Sequence, residues 1–177
     1  LKWTLAEFER LTELGVFTER DRIELIGGEL VPMAAKGNRH EVVRDVLMDW
    51  IVQRLSADTK LSSEIGWRPN AETYLEPDII IYKRGPIGVT VPPGQLLLLI
   101  EVAGSSLAYD IGAKALVYAA LGVREYWVVD AAKLAVRVHR DPAPDGYRCL
   151  RVADPDETLR PILMPELTVS LADLDLG

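Results

Sequence analysis

A run of seven residues, Leu96-Leu-Leu-Leu-Ile-Glu-Val102, constrains the fold more than any other part of this chain. It is apolar at both even and odd positions apart from Glu101. Successive side chains of a strand point to opposite faces of a sheet, so a strand of this kind has to be covered on both faces. We therefore predict a central buried strand over residues 96–102, in a sheet that has helices packed against it.

Apolar periodicity predicts a helix on either side of this strand in the sequence. The i, i+3 and i+4 spacing of apolar residues indicates an amphipathic helix of four to five turns that begins near Asn38. A second helix is predicted to be capped by Ser105 or Ser106 and to run to Leu121, before Gly122, a glycine of the kind that follows helix C-termini. Further strands are predicted over residues 61–67, 73–82 and 125–129.

The predicted order between Asn38 and Asp130 is therefore helix, strand, strand, strand, helix, strand. Hairpins are added at both ends, over residues 22–33 with a Gly-Gly turn and over residues 134–152. Residues 85–94 form a Pro/Gly-rich loop. The fold class is α/β (α+β), with a mixed central sheet in αβββαβ order, and residues 1–177 are interpreted as one domain whose core spans about 38–130.

Two acidic residues interrupt apolar strands at positions where a carboxylate is costly. Glu101 lies within the buried run, and Asp78 follows Pro77 directly before three isoleucines. Burying a carboxylate costs several kcal/mol unless a metal ion or a cation compensates it. Two carboxylates at the ends of neighbouring strands form an oxygen site suited to Mg²⁺ or Mn²⁺. The alternative is a buried salt bridge from each of them to one of the 14 arginines.

Lys114 is the cation best placed to reach this acidic pair. Asp110, Lys114 and Tyr118 are spaced i, i+4, i+8 on the helix that follows the Glu101 strand. Because this helix has to pack back on the sheet, Lys114 is predicted to lie beside the carboxylates, where a lysine positions water and stabilises charge on a phosphoryl oxygen. The alternative is a solvated lysine that forms an ordinary helix pair with Asp110.

The charge balance limits the kind of partner. The chain has 27 acidic and 20 basic residues, a net charge of −7, which excludes a protein coated in positive charge. An acidic site that recruits a divalent metal is still compatible with a polyanionic substrate. Cys149 is the single cysteine, and no apolar run approaches the length that spans a bilayer. A cytoplasmic protein without membrane contact is therefore expected.

In order and spacing, these residues resemble the Uma family of restriction-endonuclease-like proteins, within the PD-(D/E)xK nuclease superfamily. Pro77-Asp78 corresponds to the PD of that pattern. The resemblance covers nearly the whole chain, over residues 23–31, 38–40, 76–78, 100–106, 110–118 and 122–130. It implies a restriction-endonuclease-like core in which Asp78 and Glu101 are both the metal ligands and catalytic residues.

The resemblance also implies roles for residues outside these two strands. Glu24 occupies the family's early acidic position, as a further catalytic group at the metal or the water, or else pairs with a nearby arginine. His40 matches the family's histidine and is implied to contact phosphate or to share in proton transfer, or else is a partly exposed side chain. The loop from Lys36 to His40, which includes Arg39, precedes a helix N-terminus and is predicted to bind substrate phosphates, or else is solvated.

One position departs from the superfamily pattern. Ala103 stands two residues after Glu101, where the pattern has a lysine. The resemblance implies that Lys114, on the following helix, takes the place of that lysine as a catalytic residue.

Functions of different classes follow from these residues. The first is a Mg²⁺- or Mn²⁺-dependent endonuclease that hydrolyses phosphodiester bonds in DNA, as a homodimer because cutting both strands calls for two active sites. The second is a non-catalytic binding or assembly module that keeps the nuclease fold, which Ala103 and the acidic charge favour. A phosphodiesterase that acts on small molecules with the same site is a third alternative.

Overall fold

A computed structural model describes residues 2–18, 20–85 and 88–176. Pro86 and Ile87, in the predicted loop 85–94, lie outside the described residues. The helices are α1 (Leu5–Glu13), α2 (Asn38–Val52), α3 (Leu107–Tyr109) and α4 (Ala115–Leu121). The strands are β1 (Ile23–Ile26), β2 (Glu29–Pro32), β3 (Thr59–Ser63), β4 (Trp67–Asn70), β5 (Thr73–Leu75), β6 (Ile79–Lys83), β7 (Leu96–Ala103), β8 (Glu125–Asp130), β9 (Val136–Ala143) and β10 (Gly146–Ala153).

The main sheet has six strands in the order β10-β9-β8-β7-β6-β3. The β7–β8 pair is parallel, whereas the other pairs are antiparallel, so the sheet is mixed as predicted. Every residue of β7 is buried, which confirms the central strand predicted from residues 96–102. The parallel β7–β8 pair is joined by the helical crossover that such pairs require.

Both faces of this sheet are covered by apolar clusters. Ile79 and Ile81 of β6 pack in one cluster with α2 and the C-terminal segment, and Ile80 and Tyr82 pack in the other with α4. The alternation follows the two-residue period of a strand, which explains why consecutive residues of β6 and β7 are all apolar. Within the described residues, no helix is both long enough and apolar enough to cross a membrane.

The predicted strand over residues 73–82 is wrong as a single element. The chain returns to the main sheet between β5 and β6, at Glu76-Pro77-Asp78, because β5 belongs to a second sheet in the order β2-β1-β5-β4. Proline has no N–H to donate to a sheet ladder, so β6 begins only after Pro77. The order αβββαβ therefore holds for the main sheet, with β4 and β5 as an excursion into the second one.

The N-terminal elements form as their sequence predicts. The α1 helix begins with a complete capping box between Thr4 and Glu7. The β1–β2 hairpin turns through Gly27 and Gly28, which both have positive φ angles, 55° and 83°. Such angles are the requirement of a type I′ hairpin turn and are accessible to glycine without strain.

The second long helix begins directly after Ser106, as predicted, but it is not a regular α-helix. It starts at Leu107, and Ser106 makes no side-chain cap to the backbone. Residues Asp110–Lys114 form a π-helical turn between α3 and α4. The helix ends as predicted, at Gly122 with φ of 84°. Single π turns inside α-helices are frequent at functional sites.

Candidate active site

Asp78 and Glu101 meet where β6 begins and β7 ends. These two strands are antiparallel, so both residues lie at the same edge of the main sheet. The Asp78 N–H donates to Glu101 Oε2 at 3.2 Å, and the Val102 N–H donates to Asp78 Oδ2 at 2.7 Å. The two carboxylates thus take the places of backbone acceptors at the end of the ladder, which holds them together in a fixed geometry.

Glu101 also receives two donors from the helix above it. Lys114 Nζ, in the π-helical turn, is 2.8 Å from Glu101 Oε1, and the Tyr118 hydroxyl donates to the same oxygen at 2.7 Å. Lys114 Nζ also lies 3.1 Å from Glu24 Oε1, on β1 of the second sheet. Lys114 therefore joins the helix, the main sheet and the second sheet, and only 5% of it is exposed.

Asp78 has two side-chain partners of its own. Lys36 Nζ, in the loop between β2 and α2, donates to Asp78 Oδ1 at 2.7 Å. His40 Nε2, in the first turn of α2, lies 3.0 Å from Asp78 Oδ2. Lys36 also pairs with Glu64, a non-glycine residue with φ of 51° whose N–H donates to the carbonyls of Pro77 and Asp78. Strained backbone of this kind collects at functional sites.

The surroundings shift the pKa values of the two carboxyls in opposite directions. Burial raises the pKa of Glu101 to about 8, against the opposing charge of Lys114. Burial also disfavours the charged form of Asp78, but the hydrogen bond from His40 and the charge of Lys36 hold the pKa of Asp78 well below its usual range. Neighbouring carboxyls with separated pKa values are typical of sites that carry out acid–base or metal chemistry.

These groups line a cavity of about 390 Å³. Ligand pockets measure roughly 300–1,000 Å³, so the volume is that of a small-ligand site. The lining adds Asp110, which accepts from Ser106 Oγ at 2.6 Å, and Arg22 at the start of β1. The i, i+4 spacing to Lys114 identified Asp110 in the sequence, whereas no sequence pattern indicated that Arg22 lines this cavity.

A protein family described as "Uma2: Putative restriction endonuclease" has a model that matches residues 5–173. The chain belongs to the Uma2 family. This match confirms the resemblance drawn from the sequence and covers the whole cavity, including the residues from both sheets.

One solved structure similar to this Uma2 chain is titled "a putative nuclease belonging to DUF820" and comes from Anabaena variabilis ATCC 29413. The TM-score is 0.70, the alignment covers 96% of each chain, and 19% of the residues are identical. The two chains therefore share a mixed α/β fold. None of the curated proteins compared with this Uma2 chain matches it.

Six of the seven predicted site residues line the cavity, and they are Glu24, Lys36, His40, Asp78, Glu101 and Lys114. Arg39 does not reach it, because its Nε donates to the Ala131 carbonyl at 3.1 Å. Successive residues of a helix point about 100° apart, so Arg39 and His40 cannot both face the same cavity. Within the described part of the chain, the acidic pair contacts lysine and histidine side chains, and no arginine forms an ion pair with it.

Asp78 and Glu101 have the chemistry that a hard divalent cation requires. Among residues 2–18, 20–85 and 88–176, no three His, Cys, Asp or Glu side chains form a cluster that could hold a metal ion. Mg²⁺, however, usually takes one or two protein carboxylates and completes its coordination with water and substrate oxygens. The two carboxylates fit an ion of that kind. To bind, the ion has to displace Lys36 and Lys114 from the carboxylate oxygens.

Proposed function

We propose that this Uma2 chain is a metal-dependent endonuclease that hydrolyses phosphodiester bonds in DNA. The observation that carries the proposal is the pair of Asp78 and Glu101 at one edge of the sheet, with Lys114 2.8 Å from Glu101. Two carboxylates and an ammonium group that line one cavity are the groups that metal-assisted phosphodiester hydrolysis uses. The family and the nuclease-like fold support the proposal.

In this proposal, Asp78 and Glu101 hold Mg²⁺ or Mn²⁺. When bound, such an ion polarises the scissile phosphate and lowers the pKa of the attacking water. Lys114 contributes a fixed positive charge beside the negative charge that develops on the phosphate. Glu24 holds the other side of the Lys114 ammonium group, 3.1 Å away, and orients it or the water.

Lys114 supplies the ammonium group that Ala103 lacks. Ala103 is buried in the apolar cluster under α4 and offers no polar group to the cavity. The π-helical turn directs Lys114 from above the sheet to Glu101, two residues before Ala103. We therefore assign to Lys114 the role that the strand lysine has in the superfamily pattern.

Lys36 and His40 are the groups proposed to contact the DNA phosphates. Both are held by Asp78 in this arrangement, so substrate binding requires that they exchange this carboxylate for phosphate oxygens. With a net charge of −7, the chain can present only a narrow positive strip to DNA. We also propose a homodimer, because each copy then cuts one strand of a duplex.

The proposal is tested by incubating the purified chain with a supercoiled plasmid in Mg²⁺, Mn²⁺ or EDTA. We expect cleavage with either metal and none in EDTA, because the carboxylate pair needs its cation. The double variant Asp78→Ala, Glu101→Ala, purified in the same way, controls for contaminating nucleases and should leave the plasmid intact. Equal cleavage by the wild type and the double variant, or no cleavage in either metal, contradicts the proposal.

A non-catalytic binding module is the second candidate. The observation that favours it is that both oxygens of Asp78 are already bound, by Lys36 on one side and by His40 and the Val102 N–H on the other. A calorimetric titration with Mn²⁺ separates the two functions, because the nuclease has to bind the ion at this pair and the module does not.

Lys36 is expected to compete with the metal ion for Asp78. Replacing it with methionine removes this competitor, and a competing interaction of about 1.4 kcal/mol corresponds to a tenfold change in affinity. We therefore expect the Lys36→Met variant to bind Mn²⁺ about tenfold more tightly than the wild type, as measured by calorimetry. Lys60→Met, on the exposed side of β3, removes the same charge away from the pair and should leave the affinity unchanged. Equal affinities of all three proteins would exclude the competition.

A further inference from the structure

A second cavity, of about 740 Å³, adjoins the candidate active site. Its lining comes from α1, the segment that follows it and the second sheet, and it shares Arg22 and Glu76 with the first cavity. The two cavities are thus neighbours, and together they are called the groove, with the carboxylate pair in the first cavity. A groove of this size that leads away from a phosphodiester site has room for the nucleotide next to the scissile bond.

Arg22 is the charged group at the junction of the two cavities. It lines both of them and is half-buried, yet no carboxylate among the described residues forms an ion pair with it. Its φ angle is 42°, in the left-handed region, and its carbonyl accepts from the Met33 N–H at 2.8 Å. An arginine held in strained backbone, with no ion-pair partner among the described residues, is available to bind an anionic ligand in the groove.

Most of the other charges of the second cavity are paired within the protein, whereas Glu76 has no ion-pair partner among the described residues and accepts from the Tyr74 hydroxyl at 2.8 Å. Arg68 Nε lies 2.5 Å from Glu9 Oε1. Glu64 pairs with Lys36 and with Arg44. The paired acidic residues of the lining, which do not include Glu76, therefore repel a phosphate less than their number suggests.

Aromatic rings form one wall of the second cavity. Phe17 and Tyr74 line it, and both rings contact Phe8, at centroid distances of 5.7 and 5.2 Å. Phe17 and Tyr74 are only half-buried, so part of each ring faces the groove. Proteins bind single-stranded nucleic acid with aromatic side chains, on which bases stack, and with basic side chains, which contact phosphates. Phe17, Tyr74 and Arg22 line one cavity and supply both kinds of group.

We propose that the second cavity binds the nucleotide that flanks the scissile phosphodiester, with Arg22 on its phosphate and Phe17 against its base. This inference rests on the proposed nuclease function. A base can lie against an aromatic ring only when it is unstacked from its own duplex, so a duplex has to open at this base before it is cut, and DNA that already has an unpaired base there, such as a single strand, is bound more tightly.

The phosphate contact is tested by anisotropy with a fluorescein-labelled single-stranded 12-mer in EDTA, where no cleavage takes place. We expect Arg22→Gln to weaken binding about tenfold and to lower the slope of log K against log salt by about one, as for the loss of one phosphate contact. Arg20→Gln is the matched control. It removes the same charge two residues earlier in the chain, from an exposed side chain that lines neither cavity.

The base contact has a separate variant. Phe17→Ala should weaken binding of the single strand about tenfold and binding of a duplex of the same sequence much less, because stacking requires an unpaired base. The wild type should bind the single strand more tightly than the duplex. Val16→Ala, at the neighbouring exposed position, should change neither affinity. Circular dichroism of each variant verifies that it is folded, and the two variants test the cavity independently.

The outcomes separate this inference from the proposed function. If the wild type cleaves DNA but Arg22→Gln and Phe17→Ala bind the 12-mer as tightly as their controls, the second cavity is not a nucleotide site and the nuclease proposal stands. If the duplex is preferred over the single strand, the unpaired-base substrate is excluded. If no nucleic acid is bound or cleaved by the wild type, both proposals fail.

Discussion

Replacing Lys114 with methionine is expected to destabilise the protein by about 3–5 kcal/mol at pH 7, because it leaves buried carboxylates without their cation. Glu101 and Glu24 are 4% and 1% exposed, and both lie within 3.1 Å of the Lys114 ammonium group. A fall of this size in the free energy of unfolding is measured by urea denaturation. It is large compared with the total stability of an ordinary domain, about 5–15 kcal/mol.

The pH dependence of this loss has a definite sign. Burial already raises the pKa of Glu101 to about 8, and removing Lys114 removes the charge that opposes this shift. A carboxyl whose pKa is higher in the folded state binds more protons there, so its contribution to stability increases as the pH falls from the folded pKa towards the unfolded value. The deficit of Lys114→Met should therefore be smaller at pH 5 than at pH 8.

Two variants test the cause of this deficit. Lys133→Met removes an exposed lysine and should unfold at the wild-type urea concentration. The double variant Lys114→Met, Glu101→Gln should recover part of the stability, because it removes one of the two carboxylates that lost their partner. If Lys114→Met unfolds at the same urea concentration as Lys133→Met, the lysine does not neutralise the buried carboxylates.

The architecture was predictable where local pattern and burial agree. The run of apolar residues in β7 and the periodicity of α2 each admit one interpretation, and the structure has both elements near the predicted bounds. The split of residues 73–82 into β5 and β6 was not predictable in the same way, because both parts have strand-forming sequence. Their separation depends on the pairing of β5 with β1, which is far away in the sequence.

The site was predictable to the extent that burial forces polar residues together. Asp78 and Glu101 stood out because carboxylates are costly in apolar strands, and Lys114 followed from the packing of its helix on the sheet. The contacts of Lys36 and His40 with Asp78 could not be predicted, because a loop has no periodicity that fixes its direction. The π-helical turn at Lys114 likewise has no sequence pattern of its own.

The charge of −7 acquires a physical interpretation from these contacts. Asp78, Glu101 and Glu24 are buried and paired with lysine or histidine side chains, so they contribute little to the field outside the protein. The remaining acidic residues lie mostly on the surface and oppose the approach of a polyanion. We therefore expect DNA binding to be weak in EDTA and to become stronger when a divalent cation neutralises the carboxylate pair.

The Asp78→Asn variant is expected to lose nearly all metal-dependent cleavage while it keeps the fold. The asparagine amide still offers one oxygen to the Val102 N–H, which Asp78 accepts at 2.7 Å, so the end of the β6–β7 ladder is preserved. The substitution removes the negative charge that a metal ion requires. A loss of several kcal/mol of transition-state stabilisation lowers the cleavage rate about a thousandfold. The rate is measured with a labelled oligonucleotide in Mn²⁺.

Asp58→Asn is the matched control for this effect, because it makes the same chemical change directly before β3 of the same sheet. Asp58 is exposed and pairs with Lys83 at 2.6 Å, away from the cavity, so its variant should cleave at the wild-type rate. Thermal unfolding of both variants separates a catalytic loss from a folding defect. If Asp78→Asn is folded and cleaves as fast as Asp58→Asn, Asp78 is not part of the active site, and any nuclease activity of the chain belongs to another set of residues.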